Sequence, residues 1–79
     1  MYYINFNTGE GNEWASTLEE AMKIADDGAA YTQKDIVIEN KDGKEVLRRR
    51  WWGVPYDEHE VEEESPICFE QYGYFGDWQ

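Results

Sequence analysis

A chain of 79 residues has room for one domain, spanning residues 1–79, and for a small core, since a chain near this length hides only about 60% of the surface its unfolded form exposes. Its aromatic content of 16% offsets that shortage, because each large ring can bury about 150–250 Å², and it excludes whole-chain disorder. The net charge of −11 excludes the basic stripe expected of a nucleic-acid binder.

That charge is uneven: residues 1–53 hold ten acids and seven bases, whereas residues 54–79 hold eight acids and no Lys or Arg. Such a field repels nucleic acid and attracts basic protein surfaces in a salt-dependent manner. The single cysteine, Cys68, forms no internal disulfide and suits a reducing compartment. No segment approaches the 18 or more apolar residues of a membrane span. "MYYINFN" has neither the basic nor the long apolar region of a signal peptide. The expectation is a cytoplasmic protein with no membrane contact.

In "MYYINFN", Tyr2, Ile4 and Phe6 alternate with Tyr3, Asn5 and Asn7, the period of a half-buried strand. "TGEGN" then reads as a loop. In "WASTLEEAMKIADDGAA", Ser16 with Glu19, or Thr17 with Glu20, fits a capping box. Leu18, Ala21, Met22 and Ala25 make one apolar helical stripe, with Ile24 beside it. Glu19 and Glu20 fall in the first turn, where the helix dipole favours anions. Gly28 is placed to end the helix in a left-handed conformation. Asp26 and Asp27 lie at the end where anions are disfavoured, which leaves open a role other than stability.

"DIVIENKDGKEVLRRRWW" reads as a β-hairpin. "NKDG" suits a type I turn closed by a left-handed glycine. The register then sets Ile38 opposite Val46, Ile36 opposite Arg48 and Asp35 opposite Arg49. One face carries Ile36, Ile38, Val46, Arg48, Arg50 and Trp52; the other carries Val37, Glu39, Glu45, Leu47, Arg49 and Trp51. Both faces are partly apolar and one helix covers only one, so the last 26 residues must supply the second cover. "GVPYDEHEVEEE" reads as an irregular segment. "ICFEQY" reads as a further strand or extended segment, with Tyr72, Tyr74, Phe75 and Trp78 packing on the sheet.

The cluster Arg48, Arg49, Arg50, Trp51 and Trp52 has two readings. Arginine binds phosphate and tryptophan stacks on bases, which would make Arg48, Arg49 and Trp51 a nucleic-acid site. Strand alternation divides the three arginines between two faces, and the overall charge is wrong. The favoured reading is internal: arginine stems over tryptophan rings and arginine heads on carboxylates of the acidic segment.

The run "DEHEVEEE" places seven ionisable groups in eight positions. It reads as a solvated loop or as an acidic contact surface, with Asp57, Glu58, Glu60, Glu62, Glu63 and Glu64 joined by Asp26 and Asp27. Spaced carboxylates on a folded scaffold can imitate a phosphate backbone. The run lacks calcium-loop spacing, and His59 and Cys68 alone cannot complete a zinc site. Nothing beside Cys68 marks it as a nucleophile. No metal, cofactor or catalytic residue is expected.

The stretch from "TLEEAMKIADDGAAYTQKDIVIENKDG" through "RRRWWGV", about residues 15–54, resembles a group of very small open reading frames of bacteria and their mobile elements. That resemblance carries no motif of known chemistry, so no residue role follows from it. In size and charge the chain is also similar to small phage-encoded inhibitors of host defence, anti-CRISPR proteins among them, several of which compete with nucleic acid.

The expected fold is α+β, in the order β-α-β-β followed by a C-terminal β or extended aromatic segment, with one helix on one face of a mainly antiparallel sheet. The expected function is a non-catalytic acidic module that binds a basic protein surface, as a nucleic-acid mimic would. A structural accessory protein that forms a homodimer, and a nucleic-acid binder, are the alternatives.

Overall fold

A computed structural model describes residues 1–9, 13–55, 63, 64, 66–70 and 72–79. It shows an α+β domain in which one helix packs on a six-stranded antiparallel sheet of order β2-β1-β3-β4-β6-β5. The strands are β1 (Tyr2–Asn5), β2 (Glu13–Ala15), β3 (Ile36–Asn40), β4 (Glu45–Trp52), β5 (Ile67–Cys68) and β6 (Tyr74–Trp78); the helix α1 is Leu18–Gly28, continued by a 3₁₀ turn, Ala29–Tyr31. No helix among the described residues is long and apolar enough to cross a membrane.

The alternation of β1 is realised as expected, with Ile4 and Phe6 buried against α1. Ala21 and Ala25 form the buried centre of the helical stripe, and Leu18, Met22 and Ile24 flank it. Thr17 caps α1, its hydroxyl oxygen accepting from the Glu20 amide at 3.1 Å. Ile36, Ile38 and Phe75 complete the core between helix and sheet.

Gly28 ends α1 but is not left-handed: its φ is −94°. The glycine is required by proximity, since a Cβ there would lie 2.8 Å from Cζ of Phe6. The short strand β2 replaces part of the expected entry to the helix. It pairs with β1 and packs Trp14 against Tyr3, with ring centroids 4.8 Å apart and the planes tilted by 46°.

The hairpin turn forms as read. Gly43 has φ +81°, and its amide donates to the Asn40 carbonyl at 3.0 Å. Beyond Glu39↔Glu45 the expected register fails, because Ile38 pairs with Leu47 and Ile36 with Arg49. Val46 is an extra residue on β4, a bulge. That one-residue shift turns Leu47, Arg49 and Trp51 to the helix side beside Ile36 and Ile38, and leaves Val46 exposed.

The C-terminal strand lies later than expected. "ICFEQY" contributes only Ile67–Cys68, and the full strand is Tyr74–Trp78, hydrogen-bonded to β4. Between them Tyr72 N donates to Phe69 O at 3.0 Å and Phe69 N to Gly73 O at 2.9 Å, with Gly73 at φ +145°. On the face away from α1, Trp52 stacks on the fully buried Tyr74, and Glu63 lies against Gly76. C-terminal residues thus supply the second cover, but Tyr72, expected to pack on the sheet, is 72% exposed.

Candidate functional site

The bulge at Val46 organises the arginines. In a regular strand Glu45 and Arg48 would point to opposite faces; the extra residue brings them to one side. Arg48 Nη2 donates to Glu45 Oε1 at 2.7 Å and Nη1 to Asp35 Oδ2 at 2.6 Å. The other oxygen of Asp35 accepts from the Trp51 amide at 2.9 Å. Asp35, just before β3, therefore completes the ladder where the β4 backbone leaves it. The Arg48 hydrogen bond holds the Glu45 carboxyl below the usual carboxylate range, and both acids push the guanidinium further up.

Arg49 is 3% exposed. Its Nη1 donates to the Gly76 carbonyl at 2.7 Å, its Nε lies 3.2 Å from Asp26 Oδ1, and its head sits 5.4 Å from the centre of the Trp78 ring. Burial pushes the Asp26 carboxyl up, and the charge of Arg49 returns only part of that shift. Arg50 is exposed and lies 5.6 Å from the Trp52 ring centre. Trp51 packs inward, with centroids 4.8 Å from Phe75 and 5.9 Å from Phe69.

Among the described residues the carboxylates that meet these arginines are Asp35, Glu45 and Asp26, from the loop before β3, from β4 and from α1. The acidic run, from which the sequence suggests the partners come, lies largely outside the described residues. Within that run Asp57, Glu58, His59, Glu60 and Glu62 lie outside the described residues. Glu63 is bound to β6: its Oε2 accepts from the Asp77 amide at 2.9 Å. The Glu64 amide donates to Asp77 Oδ2 at 2.7 Å, and the Glu64 side chain is exposed. The structure thus places Asp26 with the arginines and Glu63 against the sheet, while Asp27 and Glu64 face solvent.

Sequence reasoning missed a cavity at the C-terminal end of α1, of about 390 Å³, lined by Phe6, Ile24, Gly28 and Tyr31 with Glu13 and Asp27. Asp27 is the one signal in the sequence that pointed there. Among the described residues no group of three or more His, Cys, Asp and Glu is arranged to hold a metal ion. Cys68 is exposed on the outermost strand β5. No family model, curated protein or solved structure matches the chain.

Proposed function

We propose that the protein is a non-catalytic acidic module that binds a basic protein surface in the cytoplasm, occupying a groove that otherwise holds nucleic acid. The observation that carries this reading is the engagement of Arg48 and Arg49 within the protein. Arg49 is buried on Gly76 and Asp26, and Arg48 is held by two carboxylates. The guanidiniums best suited to grip phosphate are therefore occupied, and Trp51 is packed away from any base. A nucleic-acid site built on Arg48, Arg49 and Trp51 would have to draw Arg49 and Trp51 out of their packing. The net charge of −11 is then left to a surface that carries Glu13, Glu19, Glu20, Asp27, Asp42 and Glu64 exposed.

Such a module binds through charge, so its complexes dissociate as salt shortens the Debye length from about 10 Å at 0.1 M to about 3 Å at 1 M. The test is affinity capture with the full chain, followed by elution with salt or with duplex DNA. The reading predicts a basic, nucleic-acid-binding protein released by both, and no capture by a chain carrying Glu60→Lys, Glu62→Lys and Glu64→Lys, which spares the sheet-bound Glu63. Capture that survives the triple reversal and ignores DNA contradicts it.

One observation favours a second reading, self-association. Trp14 is 56% exposed on the outermost strand β2, and an unpaired strand edge invites pairing with another chain. Sedimentation showing only monomer at high concentration removes that reading.

A further inference from the structure

The last turn of α1 carries no basic residue, although a helix C-terminus bears roughly half a negative charge. Two aspartates compound it. Asp26 has Arg49 within 3.2 Å. Asp27 is exposed, and no ion pair among the described residues reaches it. The described residues thus concentrate negative potential at this end and bring a cation within ion-pair distance of only one of the two carboxylates, Lys23 one turn earlier forming no ion pair with Asp27.

Asp27 also borders the cavity. The apolar part is made by Phe6, Ile24 and the backbone of Gly28, where the missing side chain lets the Phe6 ring lie against the helix. Tyr31 stands at its edge, 88% exposed. Glu13 contributes a second carboxylate from β2. The volume of about 390 Å³ falls at the small end of ligand sites, which run from about 300 to 1,000 Å³. A hollow whose described lining is largely apolar, with Thr8, an aromatic edge and two acids, disfavours phosphates and carboxylates. It suits a group with an aliphatic body and a cationic tip, since such side chains lay their methylenes on apolar surface while the head seeks charge and aromatic faces.

We propose that this cavity receives a lysine or arginine side chain projecting from the basic protein partner, with its stem on Phe6 and Ile24 beside the Tyr31 ring and its head answering Glu13 and Asp27. The inference rests on the acidic-module reading and gives it a specific anchor, because binding energy concentrates where one side chain fills a pocket. It also assigns a use to Asp27, which helix energetics alone disfavours.

The experiment is an amide NMR titration of the isotope-labelled full chain at low salt, using an oligoarginine peptide, its uncharged citrulline counterpart, and phenethylamine. The expected result is saturable shifts centred on Glu13, Ile24, Asp27, Gly28 and Tyr31 with the arginine peptide and none with the citrulline peptide. Asp27→Asn removes an anion from a helix C-terminus and so leaves the fold intact; it weakens binding about fivefold. Glu19→Gln removes the same charge from the other end of α1 and changes the affinity less than about twofold. Equal weakening by both variants, with shifts spread over the acidic surface, overturns the cavity as the anchor and leaves the acidic-module reading standing. Absence of any shift with the arginine peptide overturns both. Shifts with phenethylamine alone overturn the protein side chain as occupant.

Discussion

Replacing Arg49 and replacing Asp26 will have very different consequences, although the two form one ion pair. Arg49→Ala removes the donor to the Gly76 carbonyl, empties the space beside Trp78 and leaves Asp26 Oδ1 without its cation. The pair is half open, because 40% of the Asp26 side chain is exposed, so the cost comes mainly from the lost hydrogen bond and packing of the buried arginine, about 2–4 kcal/mol, against a total stability of roughly 4–12 kcal/mol for a domain this size. Arg49→Met keeps the stem against Trp78 and is expected to cost about half as much. Asp26→Asn keeps an oxygen near Nε and removes a carboxylate that burial already disfavours, so its cost is below about 1 kcal/mol. The pH dependence follows in sign. Because the Asp26 pKa is raised in the folded state, that state holds the proton more tightly than the unfolded chain, and the contribution of Asp26 to stability falls as pH rises through the carboxylate range. Asp26→Asn should therefore gain on the wild type between about pH 4 and pH 7. Urea melts of the three variants and the parent at both pH values decide it. An Asp26→Asn variant as damaged as Arg49→Ala, or an Arg49→Ala variant within about 1 kcal/mol of the parent, would refute the reasoning.

Glu45→Gln should behave oppositely to Asp26→Asn: Arg48 lowers the Glu45 pKa, so the stability it contributes is present above the ordinary carboxylate pKa and lost as pH falls. The variant then loses ground to the wild type on going from pH 4 to 7, as the same melts would show. Gly73→Ala meets the Trp52 carbonyl and the Trp51 ring at 2.6 Å, at φ +145°, so a loss above about 3 kcal/mol or failure to fold is expected by circular dichroism. Asp35→Asn retains an acceptor for the Trp51 amide while Asp35→Ala does not; the alanine variant should melt lower by about 1–3 kcal/mol more. Thr17→Ala removes the helix cap and should cost about 1 kcal/mol, a fall in Tm of about 4–8 °C.

The parts of the fold that were legible are those decided locally. Alternation in β1, the stripe of α1, the cap at Thr17 and the glycine turn at Gly43 each follow from a few neighbouring residues. The register of β4 did not, because "VLRRRWW" offers no contrast between its two faces, and the bulge at Val46 is settled by the fit of Arg49 and Trp51 against helix and β6. β6 hid behind Gly76 and Asp77, residues poor in strands; there the glycine admits the Glu63 carboxylate and the Trp52 indole, which a Cβ would approach to 3.2 and 3.3 Å. Gly28 was expected to serve its own backbone angle and instead serves the ring of Phe6, a residue 22 positions earlier. The sequence pointed to an internal use for the arginines but not to these partners, because Asp26 and Asp35 reach them only through tertiary placement and Glu45 only through the bulge at Val46. The cavity beside Asp27 was invisible for the same reason, since the segment after β1, β2, α1 and the turn after it each contribute a wall.

The inward engagement of the arginines can be measured directly by following their side-chain Nε–H resonances by NMR near neutral pH. The account predicts three different behaviours: slow exchange and hindered rotation for buried Arg49, intermediate protection for Arg48 between its two carboxylates, and rapid averaging for exposed Arg50. Three equally fast, freely rotating guanidiniums would contradict it.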